Sequence, residues 1–297
     1  MKKVTSIDPN SISTKELHSI LLTAIAPRPI AFASTVDELG NVNLSPFSFF
    51  NVFSSNPPIL IFSPARRVLD NTTKHTLKNV EQTKEVVINI VNHQLVEQMS
   101  LASTEYEDGV NEFTKSGLTE VPSLKITPPR VGESPVSFEC VVDNIIELGN
   151  EGGAGNLVIC KVVYIHLNNK YLDVNNQLDT KKLDLVARMG GSWYTRCTEK
   201  SIFEIPKPLN TKGIGVDNLP KHIYKTEILT GNNLGRLGNF NEIPSESEIE
   251  LHKKLPEINE ILTVENEQFK LGQLHLLVKK YLTENNLSMA IKTLFCL

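Results

Sequence analysis

The chain has 297 residues, 40% hydrophobic and 22% charged, with a formal net charge of −4. That is enough chain for one large domain or two smaller ones. The mild acidity argues against nucleic acid or an anionic membrane surface as the main partner, since both reward clustered Lys and Arg.

The N-terminal "MKKVTSIDPN" has two lysines but no apolar stretch after them, so a secretory signal is not expected. No apolar run approaches a bilayer-spanning length. Cys140, Cys160, Cys197 and Cys296 lack CxxC spacing and read as reduced thiols of a cytoplasmic protein.

The first two thirds read as mainly β. "PIAFASTV" (29–36) is apolar and bounded by Pro and the turn cluster "DELGN", and "PPILIFSP" (57–64) is a short buried strand. "DNTTKHTLKNVEQTK" (70–84) predicts a helix capped by its Asp, Asn and Thr residues, with Leu77 and Val80 at helical spacing. "EVVINIV" (85–91) is another strand, and "NHQLVEQMSLAS" (92–103) a second helix. "VPSLKITPPRV" (121–131), with three prolines, reads as an extended surface connector. "SPVSFECVVDNIIEL" and "NLVICKVVYIHL" are the longest strand candidates, joined by "GNEGGAG", which reads most simply as a flexible hairpin loop. The second is apolar on both faces, which predicts cover on two sides, as in a barrel packed against a partner. A domain boundary is expected near residue 205, giving segments 1–205 and 206–297. The second begins loop-like in "PKPLNTKGIGVDNLPKHI" and becomes helical over 244–297.

Local signatures of several chemistries are missing. The glycines at 149, 152, 153 and 155 do not fit GxGxxG and precede a strand. There is no P-loop, GxSxG or HExxH, so a metal is not expected. His166 lies in a strand and reads as a packed or dimer-facing residue. Chemistry carried by an organic cofactor remains open, because there the protein supplies binding, orientation and electrostatics.

"VNLSPFSFFNVFSSNPPILIFSPARR" (42–67) suits such a role. A flavin mononucleotide (FMN) needs Arg, Lys and hydroxyl donors for its phosphate and an apolar slot with a few polar groups for its ring. Ser45, Ser48 and Asn51 stand among Phe47, Phe49, Phe50 and Phe53, followed by Ser63, Arg66 and Arg67. Lys74 and Thr76 follow at a helix start, where free N–H groups favour an anion. The same residues also fit a phenylalanine-rich core with arginines at a strand end.

Residues 27–64 closely resemble the flavin reductase-like family of FMN-binding split barrels, which includes flavoredoxin-type members. The resemblance rests on Pro27-Arg28-Pro29, Ser34-Thr35, Gly40, the run Asn43 to Asn51, and Ser55 to Pro58. It continues through Lys74-His75-Thr76-Leu77, Asn79, "ESPVSFEC", "GNLVICKVV" and "VARMGGSWY" (186–194). It implies a split β-barrel with flanking helices over about residues 15–205, followed by a loop and helical extension. It also implies a homodimer with FMN near the subunit interface. Carried onto this chain, it puts Ser48, Phe49, Phe50 and Asn51 beside the isoalloxazine. Ser34, Ser63, Arg66, Lys74 and Thr76 become ribityl-phosphate contacts, and Arg188 and Tyr194 border the site or pack an interface. The family commonly has Lys-Asp-Thr where this chain has Lys74-His75-Thr76, which bears on the local turn.

The activity expected from the resemblance is NAD(P)H-dependent flavin reduction by direct hydride transfer to flavin N5, with NADH or NADPH as donor. The alternatives are an FMN electron carrier reduced by a protein partner, and a protein whose flavin serves sensing or storage.

Overall fold

The computed structural model describes residues 4–205 and 211–297, and the chain divides into two compact units, Met1–Phe203 and Glu204–Leu297. Parts of two sequence expectations, the N-terminal "MKK" and the 206–210 stretch after the expected boundary, lie outside the described residues.

In unit 1 the first helix, α1 (Thr14–Ala24), starts in a capping box. Ser13 Oγ accepts from the Glu16 amide at 3.2 Å, and the Glu16 carboxylate accepts from the Ser13 amide at 2.9 Å. Strands β1 (Ala31–Val36), β2 (Val42–Phe47), β3 (Phe50–Ser55) and β4 (Pro58–Phe62) follow. Next come α2 (His75–Thr83), β5 (Glu85–Ile90), α3 (Val96–Leu101), α4 (Glu112–Ser116), β6 (Glu120–Val121) and β7 (Arg130–Val131). The unit closes with β8 (Val136–Glu147), β9 (Asn156–Leu167), α5 (Thr180–Leu183), β10 (Val186–Arg188) and β11 (Tyr194–Arg196).

Seven strands form one antiparallel sheet in the order β2-β1-β5-β8-β9-β4-β3. Side chains alternate across it. Ala31, Ala33, Phe47, Phe62, Ile88, Cys140, Val158 and Cys160 join Leu77 and Val80 of α2 in an inner core. Phe32 and Leu44 face the other way, onto Leu95, Met99 and Phe113 from the segments carrying α3 and α4. The edge strand β2 is protected by a carboxylate: the buried Glu112 accepts from the Leu44 amide at 2.9 Å.

The β8–β9 hairpin holds the two halves of the sheet together. Strand β8 is buried where it also pairs with β5, and β9 where it also pairs with β4; beyond those stretches the two strands have only each other. The expectation of cover on both faces of β9 therefore holds only for its first half. Val163, Tyr164, Ile165 and Leu167 are 38–51% exposed in the single chain.

The proline-rich segment is fastened rather than lying loosely on the surface. The fully buried Glu139 accepts from the Leu124 and Lys125 amides, each at 2.7 Å. Glu85 accepts from Thr127, and Asn89 Oδ1 from Val131. His166 Nε2 lies 2.6 Å from Glu139, so this histidine is packed onto a buried carboxylate.

Unit 2 has its own core. Helices α6 (Gly231–Gly238), α7 (Glu246–Lys253), α8 (Pro256–Leu262), α9 (Glu267–Thr283) and α10 (Leu287–Leu294) gather Leu237, Ile258, Leu274, Val278, Leu282, Ile291 and Leu294. The helical reading of 244–297 is what the structure has. Among the described residues no helix is long and apolar enough to cross a membrane.

Candidate functional site

The end of β4 runs into a loop that the glycine-rich connector grips. The Ser63 amide donates to the Phe49 carbonyl at 2.8 Å, and Ser63 Oγ accepts from the Asn156 amide at 3.0 Å. The Arg66 amide donates to the Ala154 carbonyl, the Gly153 amide to the Arg66 carbonyl, and Asn71 Nδ2 to the Asn150 carbonyl. A Cβ on Gly155 would stand 2.7 Å from Ser63 Oγ, and one on Gly152 3.0 Å from the Arg67 and Val68 carbonyl oxygens. The connector read as a flexible loop is thus a clamp whose glycines allow two backbones to touch. Asn156, Gly152 and Gly155 were not assigned to the site from the sequence. The local signal was there, since glycines at a strand start mark close backbone approach.

Three cations follow. Arg66 Nε and Nη2 donate to Asn71, at 2.7 Å to Oδ1 and 3.1 Å to the carbonyl. Arg67 Nη1 donates to Thr72 Oγ1 and the Thr73 carbonyl, and its Nη2 pairs with Glu105. Lys74 is the N-cap of α2 and half-buried, with its ammonium over the Phe47 ring. Burial, with Arg67 nearby, pushes the Lys74 amine below its ordinary range. Among the described residues neither Arg66 nor Lys74 is ion-paired with a carboxylate. Thr76 is fully buried and accepts from Asn43 Nδ2 at 2.9 Å.

The helix starts later than the caps at 70–73 suggested. Asp70 accepts from the Thr72 amide and hydroxyl, closing a turn, and Asn71 sits at φ +58°. A left-handed residue cannot lie inside a right-handed helix, so α2 begins only at His75.

A second group forms around Arg28. Its guanidinium donates to the Leu22, Ile25 and Met189 carbonyls and reaches Ser48 Oγ at 3.4 Å. These contacts make Arg28 a bracket between elements. Arg28 and Arg188 exchange backbone hydrogen bonds of 2.9 Å each way. Arg188 stacks on Tyr194, its partner across the β10–β11 pair, at 4.6 Å to the ring centroid. Phe49 is 39% exposed and meets His18 of α1 edge-on.

The expected site residues therefore fall into two groups joined by the Ser63–Phe49 bond: Ser63, Arg66, Lys74 and Thr76 in one, Ser48, Phe49, Arg188 and Tyr194 in the other. Phe50 turns inward against the inner core, and Asn51 is exposed with its Oδ1 bonded to the Val52 amide. Ser34 joins neither group. It pairs with Leu44 on the α3–α4 side of β1, whereas Thr35 and Asn43 face α2, as their bonds to Asn79 and Thr76 show. Ser34 Oγ is buried without a hydrogen-bond partner among the described residues.

The family model described as the flavin reductase like domain matches residues 23–181. A protein of Halalkalibacterium halodurans is 35% identical over 204 residues, covering 68% of this chain and 96% of its own length. The structure of nitrilotriacetate monooxygenase component B from Bacillus cereus is similar with a TM-score of 0.64 and 28% identity, over 69% of this chain and 100% of that one. A putative flavin reductase with a split barrel domain from Shewanella frigidimarina has a TM-score of 0.56 and 24% identity, over 67% and 95%. The chain belongs to the flavin reductase like family, and its seven-stranded sheet with flanking helices is the family's split barrel.

Proposed function

We propose that unit 1 binds FMN and that the chain is an NAD(P)H:flavin oxidoreductase working as a homodimer in the cytoplasm. The observation that carries the cofactor is Lys74. A half-buried ammonium that no carboxylate ion-pairs among the described residues, with Arg67 nearby and at the start of a helix, suits an anion such as a phosphate. The donors present fit that group: Lys74, the remaining N–H groups of Arg66 and the free amides at the start of α2. The Ser63–Asn156 clamp and the glycines at 152 and 155 hold the loop that presents them.

When bound, FMN would supply the redox chemistry, accepting hydride at N5 from a reduced nicotinamide. The protein's part is to bind, orient and exclude water. Ser48 and Phe49 would border the ring, and Arg188 with Tyr194 would form a stacked wall. No protein nucleophile is needed, in keeping with a sequence that lacks the signatures of one. The dimer rests on the exposed apolar residues of β9 and on Ile20, Leu21 and Ile25 at α1, 42–65% exposed. The cytoplasmic placement rests on the four thiols, three of them buried and unpaired.

A second reading, an FMN electron carrier reduced by a protein partner, is favoured by the similarity to a structure named as one component of a monooxygenase. Titrating the protein with FMN and then following NADH and NADPH oxidation separates the two. Saturable FMN binding with nicotinamide oxidation supports the first reading. Binding without nicotinamide oxidation moves the assignment to the carrier, and no saturable binding removes both.

A further inference from the structure

Arg28 is a nearly buried cation, 6% exposed, and no carboxylate is ion-paired with it among the described residues. Nη1 donates to the Leu22 and Ile25 carbonyls at the C-terminal end of α1, Nη2 to the Met189 carbonyl at 3.0 Å, and Nε to Ser48 Oγ. The second guanidinium, on Arg188, is anchored next to it by the paired backbone bonds and donates to the Gly191 carbonyl at 2.8 Å. Burial and the Arg188 charge push Arg28 below its ordinary value, yet arginine starts so high that it stays protonated.

Taking a charge out of water without a counter-ion is costly. The negative end of the α1 dipole, roughly half an elementary charge, offsets only part of the cation. The surroundings of Ser48 therefore keep a positive potential. The hydrogen-bond polarity is also fixed. A guanidinium N–H can only donate, so Ser48 Oγ is the acceptor and its own proton is free to be given elsewhere. A cation 3.4 Å behind it polarises that hydroxyl toward donating.

We propose that Arg28 is a positioning residue that acts through Ser48 to hold the reduced, anionic form of a bound flavin more tightly than the oxidised form. This rests on the FMN reading given above. Adding two electrons and one proton to the neutral oxidised ring leaves it with one negative charge, the electrons coming from a reduced nicotinamide. A fixed cation behind a polarised donor favours that added charge. The redox preference of the site is then set by a residue that does not touch the cofactor.

The test compares FMN affinity in the oxidised state with affinity after anaerobic reduction by dithionite, in the wild-type chain and in Ser48→Ala, Arg28→Met and Arg28→Lys. Ser48→Ala and Arg28→Met are each expected to weaken reduced FMN about tenfold more than oxidised FMN. That ratio corresponds to a midpoint potential lower by about 30 mV for a two-electron couple. The double variant should shift no further than either single one, and Arg28→Lys should recover part of the preference. Arg28→Met also removes the carbonyl contacts at α1; should it fail to fold, Ser48→Ala, which leaves those contacts in place, decides alone. Equal weakening of both redox forms by Ser48→Ala overturns the proposal and leaves Arg28 a purely structural bracket. A wild-type chain that binds neither form overturns the FMN reading itself, a result seen before any variant is compared.

Discussion

Lys74 carries its ammonium 5.7 Å above the centroid of the Phe47 ring, and that ring lies 5.3 Å from Phe62 in the inner core. The lysine stem is thus fixed by packing while its charge is ion-paired with no carboxylate among the described residues. Phe47 is the last residue of β2 and Ser48 follows it directly, so the helix start and the segment proposed to border the flavin are tied to one strand.

Lys74→Ala is expected to weaken FMN by about tenfold or more, since a charge-assisted contact is worth about 1.5–3 kcal/mol. Riboflavin, which lacks the phosphate, should bind nearly as before. Arg66→Ala should act in the same direction but less strongly, because Nε and Nη2 already serve Asn71. Asn51→Ala should weaken both flavins alike. Fluorescence titration with the two ligands reads the contrast. An unchanged FMN-to-riboflavin preference in Lys74→Ala would remove the phosphate from this loop.

Gly155→Ala tests the clamp. The new methyl would stand 2.7 Å from Ser63 Oγ, inside contact distance, so Ser63 or the start of β9 must move. The Asn156–Ser63 and Asn156–Pro64 bonds, 3.0 and 2.8 Å, are then strained together. Overpacking of this kind costs about 1–3 kcal/mol. Thermal melting should fall and FMN affinity with it. Gly40→Ala is the contrast: nothing lies within 4 Å of its Cβ, so only its φ of +86° opposes a side chain, whereas Gly155 has no positive φ and is opposed by contact alone.

Five strands were legible because each is rich in β-branched and aromatic residues and most are bounded by Pro or Gly: "PIAFASTV" contains β1, "PPILIFSP" β4, "EVVINIV" β5, and the two long stretches β8 and β9. α1 went unassigned although Ser13 and Glu16 spell its capping box. Its apolar side chains are largely exposed and form no buried stripe, so periodicity gave no cue. Arg66, Lys74 and Thr76, proposed as the phosphate side, lie within one local stretch and could be grouped from sequence. Arg28 could not be placed, because its contacts with Ser48 and Met189 span 20 and 161 positions. Ser34 falls outside both groups for a different reason. A one-residue step along a strand reverses the face, and the pairing that fixes the face lies in β2.

The uncovered half of β9 makes an association prediction. Val163 and Ile165 are 40% and 51% exposed on the half of β9 that does not pair with β4. Light scattering should report a dimer at micromolar concentration, and Ile165→Glu should shift it to monomer, since burying an unpaired charge in an apolar interface is costly. A wild-type chain that stays monomeric across the assay range rules the dimer out. It would also confine Arg188 and Tyr194 to a site within one subunit.

In unit 2, His222 Nδ1 lies 3.0 Å from His275 Nε2, and His222 Nε2 lies 3.2 Å from the Leu294 carbonyl. The carbonyl can only accept, so His222 carries its proton on Nε2 and accepts at Nδ1 from His275 Nε2–H. One more proton on His222 would set two N–H groups against each other. Burial, reinforced by His222, brings His275 down to about 4, and burial also lowers His222 against the opposing pull of the Leu294 carbonyl. His252, which meets Thr293 Oγ1 at 2.8 Å, is lowered by burial and by Lys292, with Glu257 acting the other way. All three histidines are therefore favoured as neutral in the folded unit. A depressed folded value means the unfolded chain takes up protons first, so their contribution is complete above about pH 6.5 and falls as pH drops toward about 4. Hydrogen exchange of the α9 and α10 amides should accelerate through that window in excess of the ordinary pH dependence of exchange, while the inner core of unit 1 keeps its protection. His275→Gln, which keeps a donor for His222 without a titrating ring, should flatten the response. Protection in α9 and α10 that stays constant from pH 7 to pH 4 would show that the histidine pair does not hold the C-terminal helices in place.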